Sequence, residues 1–171
     1  MLTEDYLMRM INQAVAALLQ AIGLRKAGKH QEAQQVIDQA VETLLGLRAD
    51  LARRLDDRSL LVSLTRQGEL DLPRLELLAD LYREEGEVLT TQGREEEAYL
   101  STLRAFNFYL ESALSQEQIS TELAGKIAAL ELKLNSQRLP EDTLFALLSY
   151  YEASNDEAGA QAVRRRLPGG I

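Results

Sequence analysis

Cysteine and tryptophan are absent from this chain of 171 residues, and histidine occurs only once. Without cysteine the chain has no disulfides, no thiolate metal ligands and no cysteine nucleophile. Proline occurs three times and residues that favour strands are scarce, whereas apolar residues recur three and four positions apart almost throughout. The sequence therefore predicts an all-α fold. A chain of this length can bury a core without disulfides or metals.

Positive charge is also in short supply, since 19 lysines and arginines stand against 27 aspartates and glutamates, for a formal net charge of −8. Nucleic-acid-binding proteins usually present a basic stripe, so we expect no nucleic-acid partner. Ten carboxylates and three arginines fall within residues 69–97. That acidic segment is either a surface for a basic partner or a solvated helix face that maintains solubility, and the second interpretation is favoured.

Long apolar runs are missing as well, because none approaches the roughly 20 uninterrupted residues of a membrane span. The chain begins with Thr3, Glu4 and Asp5 after two apolar residues, where a secretory signal would be basic. We therefore expect a cytoplasmic protein without a membrane partner.

Local end signals predict a single helical-repeat domain of about seven or eight helices. Helix pairs are expected at about 3–45 and 73–114, an irregular helical insert at 47–72, and C-terminal helices at 116–167. Thr3 is the expected N-cap of the first helix. Within the insert, helices are expected at about 48–55 and 59–67, with Gly68 closing the second. Ser115 and Gln118 have the spacing of a capping box and predict the start of the next helix.

A spaced pattern of small residues occurs twice, with every member displaced by 65 positions: Gly28, Ala33 and Ala40, then Gly93, Ala98 and Ala105. Each glycine would adopt positive φ, so that the chain can reverse within a few residues. Each alanine pair, seven residues apart on one helix face, would let two antiparallel helices approach to about 8–10 Å. The pattern therefore predicts two close-packed helix pairs.

These residues resemble the tetratricopeptide repeat, whose earlier glycine and aromatic positions are matched by Gly86 and Tyr82. A weaker third copy ends at Ala160, with Asn155 in place of the glycine at its turn. The chain departs from the signature at Glu85, where leucine is preferred. The whole pattern is similar to a bacterial tetratricopeptide-like family of uncharacterised function. The resemblance implies an array of antiparallel helix pairs and a bacterial, cytoplasmic origin, and it supplies no catalytic residues.

Catalytic and metal-binding patterns are weak. His30 would need Glu32 or Asp38 to form a catalytic pair, but a structural or solvent-facing imidazole is the better interpretation. The Glu84–Glu85 pair and the glutamates at 95–97 are expected near a helix end and a helix start, where ordinary helix stabilisation accounts for them. The sequence lacks phosphate loops and dinucleotide fingerprints. We therefore expect no enzyme activity, no cofactor and no metal.

The best functional prediction is a protein–protein interaction module or scaffold that binds a peptide or protein partner through a helical groove. In the related arrays the first helix of each pair lines the concave side. The corresponding partner-binding residues here are Leu18, Ile22, Arg25, Asp80, Arg83, Glu87 and Thr90. The alternative is a self-associating structural or regulatory protein, a possible homodimer, because the apolar face of the first helix, at Leu18, Leu19 and Ile22, is broader than one stripe needs.

Two features outside this groove have alternative interpretations. Phe108 is either an exposed interface anchor or, by preference, a residue covered by the next helix. The arginines at 164–166 either stabilise the carbonyl end of the last helix or contact an acidic partner.

Overall fold

The computed structural model describes residues 3–170, which form an all-α protein, as the sequence predicts. Nine helices lie within these residues, above the predicted seven or eight, together with one short hairpin. In chain order the elements are α1 (Glu4–Lys26), α2 (His30–Leu45), α3 (Ala49–Arg54), α4 (Asp57–Ser63), β1 (Thr65–Arg66), β2 (Glu69–Leu70), α5 (Leu72–Thr91), α6 (Glu95–Leu114), α7 (Thr121–Leu134), α8 (Glu141–Ala153) and α9 (Glu157–Arg164). The chain divides into two compact units, Met1–Ala105 and Phe106–Ile171.

In the first unit, α1, α2 and α5 pack on one another. Thr3 caps α1 as predicted, since its side-chain oxygen accepts a hydrogen bond from Tyr6 N at 3.3 Å. Gly28 and Gly93 adopt φ values of +76° and +72°, as the chain reversals require. The buried faces of α1 and α2 include four alanines, whose small side chains allow close helix packing: Ala14, Ala21, Ala33 and Ala40.

The insert between the helix pairs differs from its prediction. The helix expected at 59–67 is α4, which ends at Ser63, and the chain then forms an antiparallel hairpin that pairs Thr65 with Leu70. The turn of this hairpin is made by Gln67 and Gly68, with φ values of +52° and +83°. Two successive positive φ angles suit a two-residue hairpin turn and cannot continue a right-handed helix, so the prediction was wrong for the last turn.

The second unit contains the end of α6 with α7, α8 and α9. Ser115 does not start a helix, which corrects the predicted capping box. Its hydroxyl donates to Glu111 O at 2.8 Å at the end of α6, whereas Ser120 caps α7 by accepting from Leu123 N at 3.1 Å. The turn between α8 and α9 is made by Asn155 at φ +56°, where the weak third copy places it.

Phe108 is a core residue of the second unit, with 0% of its surface exposed. Phe108 is therefore buried, as the preferred interpretation requires, and it is not an exposed anchor. Its neighbours Phe106 and Tyr109 are equally buried. A helix that is buried on nearly all sides lies inside a core, which explains why this stretch of α6 concentrates aromatic residues.

Candidate functional site

The predicted partner-binding residues lie on two helices that pack together, α1 and α5. Thr90 is exposed and the other six are half-buried: Leu18, Ile22, Arg25, Asp80, Arg83 and Glu87. Apart from Thr90, these side chains are therefore only partly accessible to a binding partner. The contacts between the two helices include an ion pair of Arg25 with a residue of α5.

Arg25 of α1 forms an ion pair with Glu84 of α5, a residue that the sequence analysis did not include in the site. The Arg25 Nε atom donates to Glu84 Oε1, and its terminal nitrogen lies 3.5 Å from Glu84 Oε2. The hydrogen bond to Glu84 raises the pKa of Arg25, and the charge of Glu87 adds to the effect. This ion pair links α1 to α5, and it occupies the Arg25 guanidinium that was predicted to contact a partner.

Glu85 is buried at the centre of a polar cluster, and only 2% of its side chain is exposed. It accepts hydrogen bonds from Gln34 at 2.7 Å, from Arg53 at 2.6 Å and from Ser101 at 2.6 Å. Arg53 also pairs with Asp38. Burial opposes the charge of Arg53, but Glu85 and Asp38 together raise its pKa. Four helices, α2, α3, α5 and α6, are tied together by this cluster.

The prediction that Glu84 and Glu85 stand near a helix end was wrong, because they lie in the interior of α5. A signal for their burial was present in the sequence: Glu85 follows Leu81 by four residues and precedes Val88 by three, and both of those residues are buried. The helical period therefore places Glu85 on the apolar face. Its arginine partner could not be identified, since Arg53 is 32 residues away in the insert.

The other titratable residues of interest have structural partners. His30 begins α2, and its Nδ1 atom lies 3.3 Å from the Thr91 hydroxyl. In the second unit, Arg164 donates to Glu152 at 2.9 Å and to Glu157 at 2.8 Å, so it stabilises the turn between α8 and α9. Among the described residues, no group of three or more histidine, cysteine, aspartate or glutamate side chains is placed to hold a metal ion.

The largest unexplained feature is an apolar stripe on the outer side of α1, which we define as Met8, Ile11, Val15, Leu19 and Ile22. Met8, Val15 and Leu19 are 59%, 41% and 65% exposed, and the other two are half-buried. A different side of the helix supplies the buried residues Met10, Ala14 and Ala21. The breadth of this face at Leu19 and Ile22 was predicted from the sequence, but its extension to Met8 was not.

By length and composition alone, α1 could cross a membrane. The mean hydropathy of its most apolar 18-residue stretch is 1.3. Only 17% of that stretch is buried. One such helix is weak evidence for a membrane, since apolar helices of other kinds meet the same criterion.

The second unit has an open pocket of about 400 Å³ at the junction of α6, α7 and α8. Leu114, Ile119, Tyr150 and Ser154 contribute to its lining. Ser154 donates to Tyr150 O at 2.8 Å, a bond within the end of α8. Two polar groups of the pocket lining, the Ser154 hydroxyl and the Tyr150 carbonyl, are therefore already hydrogen-bonded to each other.

The chain was compared with protein-family models, curated proteins and solved structures, and none of the three comparisons gives a match.

Proposed function

We propose that this protein is an interaction module or scaffold, and that the apolar stripe of α1 binds an amphipathic helix of a protein partner. The observation that carries the proposal is the exposure of Met8, Val15 and Leu19 on one side of a helix whose other side is already packed. A large exposed apolar patch on the surface of a protein usually marks a site of association.

The geometry of the stripe favours a helical partner. Its members are spaced three or four residues apart, so they form a ridge along a helix of 23 residues. Such a ridge packs into the groove of a second helix at interaxial distances of about 8–10 Å. An amphipathic helix that binds in a groove also contacts it through apolar residues three and four positions apart.

We also propose that the protein has a tetratricopeptide-like fold, is bacterial and cytoplasmic, and has no catalytic role. Support for the repeat comes from Gly28 and Gly93, which share positive φ, and from the buried alanines that follow them in each copy. Ala33 and Ala98 are 0% and 4% exposed. The first alanine position is therefore buried in both copies of the pattern.

The test uses fluorescently labelled synthetic helices of about 23 residues that carry a leucine and isoleucine stripe, together with a scrambled peptide of the same composition. We expect saturable binding of the striped helices only. Leu19→Glu should abolish binding because it places a charge in the interface. The matched control is Val62→Glu, since Val62 is 69% exposed in the same unit. Absence of saturable binding, or equal loss in both variants, would refute the proposal.

A second surface is proposed between α1 and α5, around the Arg25–Glu84 ion pair. Glu87 lies close enough to Arg25 to act on its charge, and the proposed ligand of this surface is a short basic peptide that contacts the carboxylates there. Titration with labelled lysine-rich peptides would test this surface. Binding that is unchanged in Glu87→Gln would exclude it.

A further inference from the structure

The outer side of α1 has a chemical symmetry that a general partner would not require. A basic residue follows the apolar stripe at one end and an acidic residue precedes it at the other, both exposed and on the same helix face. In order, this face carries Glu4, Met8, Ile11, Val15, Leu19, Ile22 and Lys26. The spacing is the same in both directions from Val15, and residues equally distant from it are apolar with apolar, or acidic with basic.

A palindromic face of this kind complements itself when two identical helices lie antiparallel. The twofold axis would pass beside Val15, which would meet its own copy. Ile11 would then face Leu19 of the second copy, and Met8 would face Ile22 of the second copy. Glu4 would lie opposite Lys26 of the second copy, twice in each dimer. Residues on a twofold interface obey this reciprocity.

From this symmetry we infer that the partner bound by the apolar stripe is a second copy of this chain, paired antiparallel through α1 with Val15 at the twofold axis. The inference rests on the proposed function, which it narrows to one partner and one register. A parallel pair is disfavoured because it would place Glu4 beside Glu4 and Lys26 beside Lys26. An antiparallel pair also opposes the two helix dipoles favourably.

Charge favours a second copy over a lipid surface. Interfacial membrane helices carry lysines and arginines on their polar side and bind anionic lipids. The net charge of this chain is −8, which opposes such binding, and the polar side of a membrane helix is here replaced by the packed residues Ala14 and Ala21. Glu4 at the end of the stripe is also unsuited to an anionic surface.

The first measurement is the mass of the full chain in solution, by light scattering after size exclusion over a range of concentrations. We expect a dimer. Glu4→Lys or Lys26→Glu should weaken the dimer roughly tenfold, since each converts two attractive contacts into repulsive ones. The double variant with both changes should restore the affinity. Circular dichroism checks that each variant is folded.

The second measurement fixes the register, and it benefits from a chain without cysteine, because one introduced thiol is then the only one present. Val15→Cys should form an intermolecular disulfide under mild oxidation. Leu19→Cys should not, because its two copies would lie about 12 Å apart along the antiparallel helices, beyond the reach of a disulfide. Val62→Cys is the matched control, being 69% exposed.

The outcomes separate this inference from the proposed function. A chain that stays monomeric but binds the striped helices through Leu19 would overturn the inference and leave the proposed function standing. A chain that does neither would overturn both. A dimer that links through Leu19→Cys would overturn the antiparallel register. A monomer that co-floats with phosphatidylcholine or phosphatidylglycerol vesicles in a density gradient would assign the stripe to a membrane instead, provided that Leu19→Glu abolishes this vesicle binding.

Discussion

Gly86 of α5 lies against Thr102 of α6 without room for a methyl group between them. A Cβ atom added at Gly86 would overlap the Thr102 hydroxyl oxygen and lie 3.4 Å from Ala98 O. Both residues are buried. The absence of a side chain at Gly86 therefore allows these helices to approach closely.

We expect Gly86→Ala to lower the free energy of unfolding by about 1–3 kcal/mol, because the added methyl group forces the helices apart. Replacement of Thr102 by Ala in the same chain should recover part of the loss. Gly23→Ala is the control, since nothing lies within 4 Å of its added Cβ, and it should stabilise by about 0.5–1 kcal/mol. Urea denaturation at one fixed protein concentration measures all three. Equal effects at Gly86 and Gly23 would contradict the close contact.

Ala98→Leu is expected to cost about 1–3 kcal/mol through overpacking. Ala98 is 4% exposed and occupies the first small-residue position of the second repeat copy. Ala128→Leu, at an exposed position of α7, should change stability by no more than about 0.5 kcal/mol. Thermal melts of the two variants provide the comparison, and an unchanged midpoint in Ala98→Leu would show that the position tolerates bulk.

Arg53→Met should destabilise the first unit by about 1–3 kcal/mol, because Glu85 would remain buried after losing its cation. The estimate is below that for a fully buried pair, since 37% of the Arg53 side chain is exposed. Arg54→Met, at the exposed neighbouring arginine, is the matched control and should have little effect. Chemical denaturation followed by circular dichroism tests the difference. If the two variants unfold alike, Arg53 does not stabilise Glu85.

The N-cap formed by Asp56 depends on pH, and the backbone amide of Ser59 can report its loss. Its side chain caps α4 by accepting from Ser59 N at 2.8 Å, and its hydrogen bonds to Ser59 lower its pKa below 3.8. Because the folded pKa is the lower one, the cap is fully effective above pH 3.8 and is lost as the pH falls through the folded value. The Ser59 amide shift in NMR spectra should titrate with a midpoint below 3.8 and should not titrate in Asp56→Asn. A midpoint above 3.8 would exclude the cap.

Several helix ends were predictable because their signals are local. Thr3 and Asp71 cap helices through side-chain oxygens within the same turn, and such contacts depend on neighbouring residues alone. The start of α7 was mispredicted, because Ser115 and Gln118 have the spacing of a capping box, whereas the actual cap, Ser120, is followed three residues later by Leu123.

The candidate site was predictable in part. The breadth of the apolar face on α1 is visible in its spacing, but the helical period alone does not reveal which of two apolar sides will be packed. The ion pairs of Glu84 and Glu85 were missed because Arg25 and Arg53 are 59 and 32 residues away along the chain. Pairing at such separations depends on how the helices assemble.

The sequence by itself determined the helical class, most helix boundaries and the positions where glycine and alanine let helices approach, because these follow from backbone geometry and periodicity within a few residues. Tertiary structure decided which apolar side of α1 stays exposed, that Phe108 is buried, and that the buried Glu85 pairs with Arg53. These outcomes depend on free energies shared between distant segments, such as desolvation and ion pairing, which no local pattern contains.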